Sequence, residues 1–158
     1  MDIVSCLITH EADVNTRSAS CNTALIYGCA GHEKIIHTLL DSSADVEDHN
    51  EHGHIPLMEA ASAGHVDIVF LLIAHGADIN TQSNNTSLMY GCINGHEEVV
   101  RILLAWGADV DIPLMYECAG GHEEVVRILI DFRTNIIYNK IGCIPLIKAA
   151  SAEMSCLC

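Results

Sequence analysis

Residues 54–80 read HIPLMEAASAGHVDIVFLLIAHGADIN, and the rest of the chain is organised around them. Pro56 supplies a pre-set φ at a helix start, and the apolar run PLMEAASA follows until Gly64 breaks it. A second, longer apolar helix is predicted over HVDIVFLLIAH, and Gly76 ends it. The tail ADIN then leads into polar residues. The Gly-His pairs 31–32, 64–65, 95–96 and 121–122 recur at intervals of 33, 31 and 26 residues. A two-helix unit this short cannot bury its own apolar face, so each unit must stack on the next.

The repeated pieces are IPLMEAASAGH (55–65), TSLMYGCINGH (86–96) and IPLMYECAGGH (112–122), with the tails ADVN (12–15), ADVE (44–47), GADIN (76–80) and GADVD (107–111). On these residues the chain resembles the ankyrin-repeat family along nearly its whole length. Residues 47–66 and 22–32 are most similar to the repeats of multiple-ankyrin, single-KH-domain scaffold proteins. The chain carries no KH pattern, so RNA binding is not implied. The resemblance implies an all-α solenoid of stacked helix-turn-helix units with short hairpin fingers, and a non-enzymatic protein-binding role.

The units fall at 16–47, 48–80, 81–111 and 112–137, between a half unit at 1–15 and a truncated one at 138–158. They are irregular. From Thr23 to His32 is one residue shorter than from Ile55 to His65, so the first helix of that unit or the turn after it must be distorted. The finger TQSNN (81–85) is two residues shorter than its neighbour, and residues 112–137 lack a finger. Thr23 and Thr86 can cap a helix, whereas Ile55-Pro56, Ile112-Pro113 and Ile144-Pro145 cannot; a lost Ser/Thr cap costs about 1 kcal/mol. Glu11, Ser43 and Arg133 stand at the terminating-glycine position, each with a penalty of about the same order if the backbone stays left-handed. A stack less stable than a regular one is expected, and a decayed or truncated fragment without independent function is the alternative reading.

Half of the residues are apolar but 4% are aromatic, which suits thin layers of Leu, Ile, Val, Ala and Cys. The formal charge of −14 argues against nucleic acid and anionic membrane surfaces and permits basic partners. The longest apolar stretch, Ile68 to Ala74, is too short to cross a bilayer. Met1-Asp2-Ile3 shows no basic leader, so a cytoplasmic or nuclear location is expected. Of the eight cysteines, Cys29, Cys92 and Cys118 share the position of Ala61 and read as small core residues in a reducing compartment.

The chemistry-bearing motifs are thin. His96-Glu97-Glu98 and His122-Glu123-Glu124 begin like a zinc-protease helix, but Val100 and Val126 replace its second histidine. His49, His52 and His54 crowd one finger beside Asp48 and Glu51, yet an exposed tip is a poor cage for a metal. Cys156-Leu157-Cys158 matches a prenylation pattern in a chain without a nucleotide motif. No cofactor, small-molecule substrate or catalytic residue is expected.

In the family that the chain resembles, partners bind the finger tips and the inner-helix face. Tyr27, Tyr90 and Tyr116 share the position of Glu59 and would form one row; His75, Trp106 and Phe132 would form a second. The expected partner contacts are Asp48, Glu51, His52, His54, Glu59, Tyr90, Trp106 and Tyr116, with the carboxylates favouring a basic segment on the partner.

Overall fold

The computed structural model describes residues 3–110 and 122–141, with side chains to residue 133. Among them the chain forms eight helices and no strand. These are α1 (Ile3–Thr9), α2 (Ala24–Gly28), α3 (Glu33–Asp41), α4 (Pro56–Ala63), α5 (Val66–Ala74), α6 (Ser87–Ile93), α7 (Glu97–Ala105) and α8 (Glu123–Ile141). Helices α2, α4 and α6 pack side by side as an inner row, and α1, α3, α5, α7 and α8 as an outer row. This is the all-α solenoid that the repeat predicts.

The core is periodic because the sequence is. Leu25, Leu57 and Leu88 of the inner row are all buried and belong to one continuous cluster. Leu39, Leu72, Leu103 and Leu129, each seven residues after the histidine of a Gly-His pair, line the outer row of the same cluster. Leu114, expected in the inner seam, lies outside the described residues. Cys29, Ala61 and Cys92 sit fully buried where only a small side chain fits between layers. Complete burial of one such leucine stabilises the fold by about 1.5–3 kcal/mol.

Neighbouring layers are also joined by polar rungs. The side chain of Asn15 accepts from the Asp45 N–H at 2.9 Å, Glu47 accepts from the Asp78 N–H at 2.8 Å, and Asn80 accepts from the Asp109 N–H at 2.9 Å. The Gly-His pairs add a second joint. His96 donates from Nε2 to the Ser62 carbonyl at 3.0 Å, and His122 does the same to Ile93 at 3.0 Å. The His96 ring fills the space beside Gly64, which has φ 77°.

The irregular positions have the consequences expected of them. Thr23 and Thr86 accept from the N–H groups of Ile26 and Met89, while Ile55 offers no side-chain cap and Pro56 begins α4. The one-residue deletion shortens α2 to five residues and drives Gly31 to φ 117°. Glu11 and Ser43 both adopt φ 65°. Arg133 differs. It does not reverse the chain, because α8 continues through it to Ile141 and past the unit boundary placed after residue 137. Glu11 and Ser43 make the reversal without glycine and are followed by Ala-Asp, whereas Arg133 is followed by Thr134-Asn135. The rest of the truncated unit expected at 138–158, and the finger expected to be missing near residue 112, lie outside the described residues.

Candidate functional site

Two finger tips share one construction. The Ser18 N–H donates to the Asn22 carbonyl at 2.9 Å, and the Asn50 N–H donates to the His54 carbonyl at 3.1 Å, thirty-two residues later. In the second finger Asn50 is nearly buried, and its Oδ1 accepts from the N–H groups of His52 and His54, each at 3.0 Å. The Glu51 N–H reaches the Ser20 carbonyl at 3.3 Å and ties the two fingers together. The shorter third finger instead closes its tip with the Ser83 hydroxyl donating to the Asn85 carbonyl at 3.5 Å.

The tip delivers His54 to the inner helices. Its Nδ1 lies 2.8 Å from Glu59 Oε1 on α4, and its Nε2 lies 2.7 Å from the Tyr90 hydroxyl on α6. A carboxylate only accepts, so His54 donates to Glu59 from Nδ1, while the Tyr90 hydroxyl can serve the other nitrogen as donor or acceptor. The two rings meet edge-on at 5.0 Å. Asn50 Nδ2 adds a longer contact to the same Glu59 oxygen, 3.5 Å. Within the chain Tyr90–His54–Glu59, His54 is 22% and Glu59 34% exposed. This hydrogen-bonded chain therefore fixes three side chains from a finger and two helices in one partly wet array.

Beside this array a cleft of about 330 Å³ opens between α2 and α4. Tyr27, Asn22 and Ile26 contribute from the α2 side, and Glu59, Ser62 and Asn50 from the α4 side. Tyr27 is half exposed, with its hydroxyl 3.4 Å from the Ser18 hydroxyl. Hydrogen bonding to Ser18, and then to Asn22, draws its phenol below the usual value. Cys29 lies beneath; burial, with the nearby Glu59 charge, pushes its thiol up to about 12.

The other expected contacts are distributed differently. Glu51 and His52 are exposed at the tip, their side chains 3.9 Å apart. Asp48 is turned inward: it is 7% exposed, and Arg17 grips both of its oxygens, Nε at 3.1 Å. That pairing spans 31 residues, so a reading of the tip alone places the carboxylate in solvent. Trp106 caps the end of α7, half exposed, on the outer row and away from the inner array. Its ring lies 6.2 Å from that of Phe70, which is equally exposed and which no spacing argument had singled out. Phe132, expected to continue the Trp106 row, is packed partly into the core, and His75 holds its own helix through the Leu71 carbonyl at 2.9 Å. Tyr116 lies outside the described residues. Asn50 organises the tip, and its signal in the sequence is an Asn four residues before His54 in a Gly-containing turn.

Among the described residues no three His, Cys, Asp or Glu side chains are placed to hold a metal ion. His54 has both nitrogens engaged, and the Nε2 atoms of His96 and His122 are used between layers. No described helix is long and apolar enough to cross a membrane. The Cys-Leu-Cys end lies outside the described residues.

A family model described as "Ankyrin repeats (3 copies)" matches residues 44–113, and one described as "Ankyrin repeat" matches residues 20–51. The Ankyrin repeat and KH domain-containing protein mask of Drosophila melanogaster is 46% identical over 77 residues, 44% of this chain and 2% of that protein. Ankyrin repeat and KH domain-containing protein 1 of Homo sapiens is 50% identical over 60 residues, 37% of this chain and 2% of that protein. Delta-latroinsectotoxin-Lt1a of Latrodectus tredecimguttatus is 33% identical over 90 residues, 55% of this chain and 7% of that protein. The chain thus corresponds to a small part of each of these long proteins. With the repeating helix pairs, the layered leucines and two overlapping matches that run from residue 20 to residue 113, the chain belongs to the ankyrin-repeat family.

Proposed function

We propose that the chain is a non-enzymatic protein-binding module that presents its second finger and inner-helix face to a partner protein. Ankyrin repeats in general mediate protein–protein contacts. The observation that carries the reading here is the Tyr90–His54–Glu59 chain, which holds a finger and two inner helices as one preorganised surface. Glu51 and His52 stand at its rim, and the net charge of −14 favours a basic segment on the partner. A scaffold role, in which the module holds one protein beside another, follows the same logic. Buried thiols at the repeated small position suit a reducing, cytoplasmic or nuclear setting. The test is affinity capture with the intact chain, with Tyr90→Phe and His54→Ala, and with Trp106→Ala. Loss of the same partners in the first two variants, with folding retained, supports the inner face. Loss in Trp106→Ala alone moves the site to the outer row, and an unchanged partner set in all three removes the reading.

A second reading is that the chain is a decayed repeat fragment with no partner. It rests on the five-residue α2 and on Glu11 and Ser43 in left-handed backbone. A thermal melt separates the two: a cooperative transition supports the module, and a shallow slope supports the fragment.

A further inference from the structure

We infer that the cleft between α2 and α4 is a receptor for one lysine or arginine side chain of a partner segment, with Glu59 as its counter-ion. This rests on the protein-binding reading and adds a named pocket and a ligand chemistry to it.

The chemistry of the walls carries the assignment. Glu59 is the sole acidic residue lining the cleft, and no basic residue lines it. Its Oε1 is occupied by His54 and Asn50, while its Oε2 has no hydrogen-bond partner among the described residues. One oxygen is therefore clamped and the other remains available. Clamping matters because a fixed carboxylate loses little freedom when a cation arrives.

The other wall supplies Tyr27, half exposed, whose ring face attracts a cation and whose edge covers an aliphatic stem. Ile26, Ala30 and Ala63 give the apolar lining that the methylenes of lysine or arginine use while the charged head stays near water. The volume, about 330 Å³, is at the low end of the roughly 300–1,000 Å³ of small-molecule sites and suits a single side chain. Three described arginines are paired away from the cleft: Arg17 with Asp48, and Arg101 and Arg127 with Glu124. The raised thiol of Cys29, due to burial and then to Glu59, is a separate sign that the carboxylate's field reaches the cleft floor.

The test is a ¹H–¹⁵N NMR titration of the intact chain with N-acetyl-arginine methylamide and N-acetyl-lysine methylamide, with the norleucine analogue as the uncharged control. Saturable shifts confined to Asn22, Tyr27, Asn50, Glu59 and their neighbours are expected for the cations, and none for norleucine. Glu59→Gln should weaken the effect at least tenfold. Tyr27→Leu, which leaves the Glu59 clamp intact, should weaken it severalfold. Shifts spread over the acidic surface, or saturable shifts equal in Glu59→Gln, overturn the assignment; so does binding of norleucine as strongly as the cations. Proteins captured by the inner face with no cation seated in the cleft would leave the module standing and sink this pocket. A seated cation with no captured protein would do the reverse.

Discussion

The imidazole of His96 occupies the space that a methyl group on Gly64 would need: a Cβ built there falls 2.6 Å from His96 Nδ1. Gly76 is also left-handed, φ 90°, but nothing lies within 4 Å of its missing Cβ. The pair separates two costs. Gly76→Ala should destabilise the chain by about 1 kcal/mol, from backbone strain alone. Gly64→Ala should cost roughly 2–4 kcal/mol, because the His96 ring must also move off the Ser62 carbonyl. Urea denaturation of both variants measures the difference; equal losses would show that the histidine gives way freely.

Ser43 offers the opposite change. Its exposed side chain sits on a left-handed backbone where the following units have Gly76 and Gly107. Ser43→Gly should raise stability by about 1 kcal/mol, seen as a Tm increase of a few degrees, and Ser43→Ala should give no gain. The carbonyl of residue 43 still accepts from Asn15 in either variant, so the joint to the preceding layer does not confound the comparison.

The Tyr90–His54–Glu59 chain should behave as a unit. Tyr90→Phe removes one hydrogen bond and is expected to cost about 1 kcal/mol, whereas His54→Ala removes two bonds and leaves partly buried groups unpaired, at roughly 2 kcal/mol. In the double variant the two losses should not add, the shortfall being about 0.5–1 kcal/mol. Strict additivity in a double-mutant cycle would mean that the two side chains meet without energetic coupling.

Cys29 predicts an alkaline weakness. Unfolded, the thiol has its ordinary value of 9.0; folded, burial and the Glu59 charge push it up to about 12. Below pH 9 both states hold the proton. Between 9 and about 12 the unfolded state releases it first, so stability falls as pH rises, by up to about 1.4 kcal/mol per unit. Cys29→Ala, which copies Ala61 in the next unit, should flatten that slope relative to the parent chain. Parallel slopes from pH 9 to 11 for the two proteins in chemical denaturation would contradict the buried-thiol account.

The layered leucines and the Gly-His pairs were legible in sequence because each unit repeats them in the same local order and they answer to burial. So were the caps of Thr23 and Thr86 and the strained positions Glu11 and Ser43. The pairings were not. Glu59 and Tyr90 could be placed in one row, but that His54 bridges them depends on the length of the second finger and the reach of one ring across 36 residues. Asp48 looked like a solvent-facing charge until Arg17, from the preceding finger, closed on it. The continuation of α8 through Arg133 was hidden because the family pattern supplies a turn there, while Arg133 lacks the Ala-Asp that follows Glu11 and Ser43.

The rungs from Asn15 to Asp45, Glu47 to Asp78 and Asn80 to Asp109 each fasten one layer to the next and to nothing farther away. A layer copied whole brings its own fastener. Such a chain can lengthen or shorten in evolution by duplication or loss of complete modules, with no new kind of joint required.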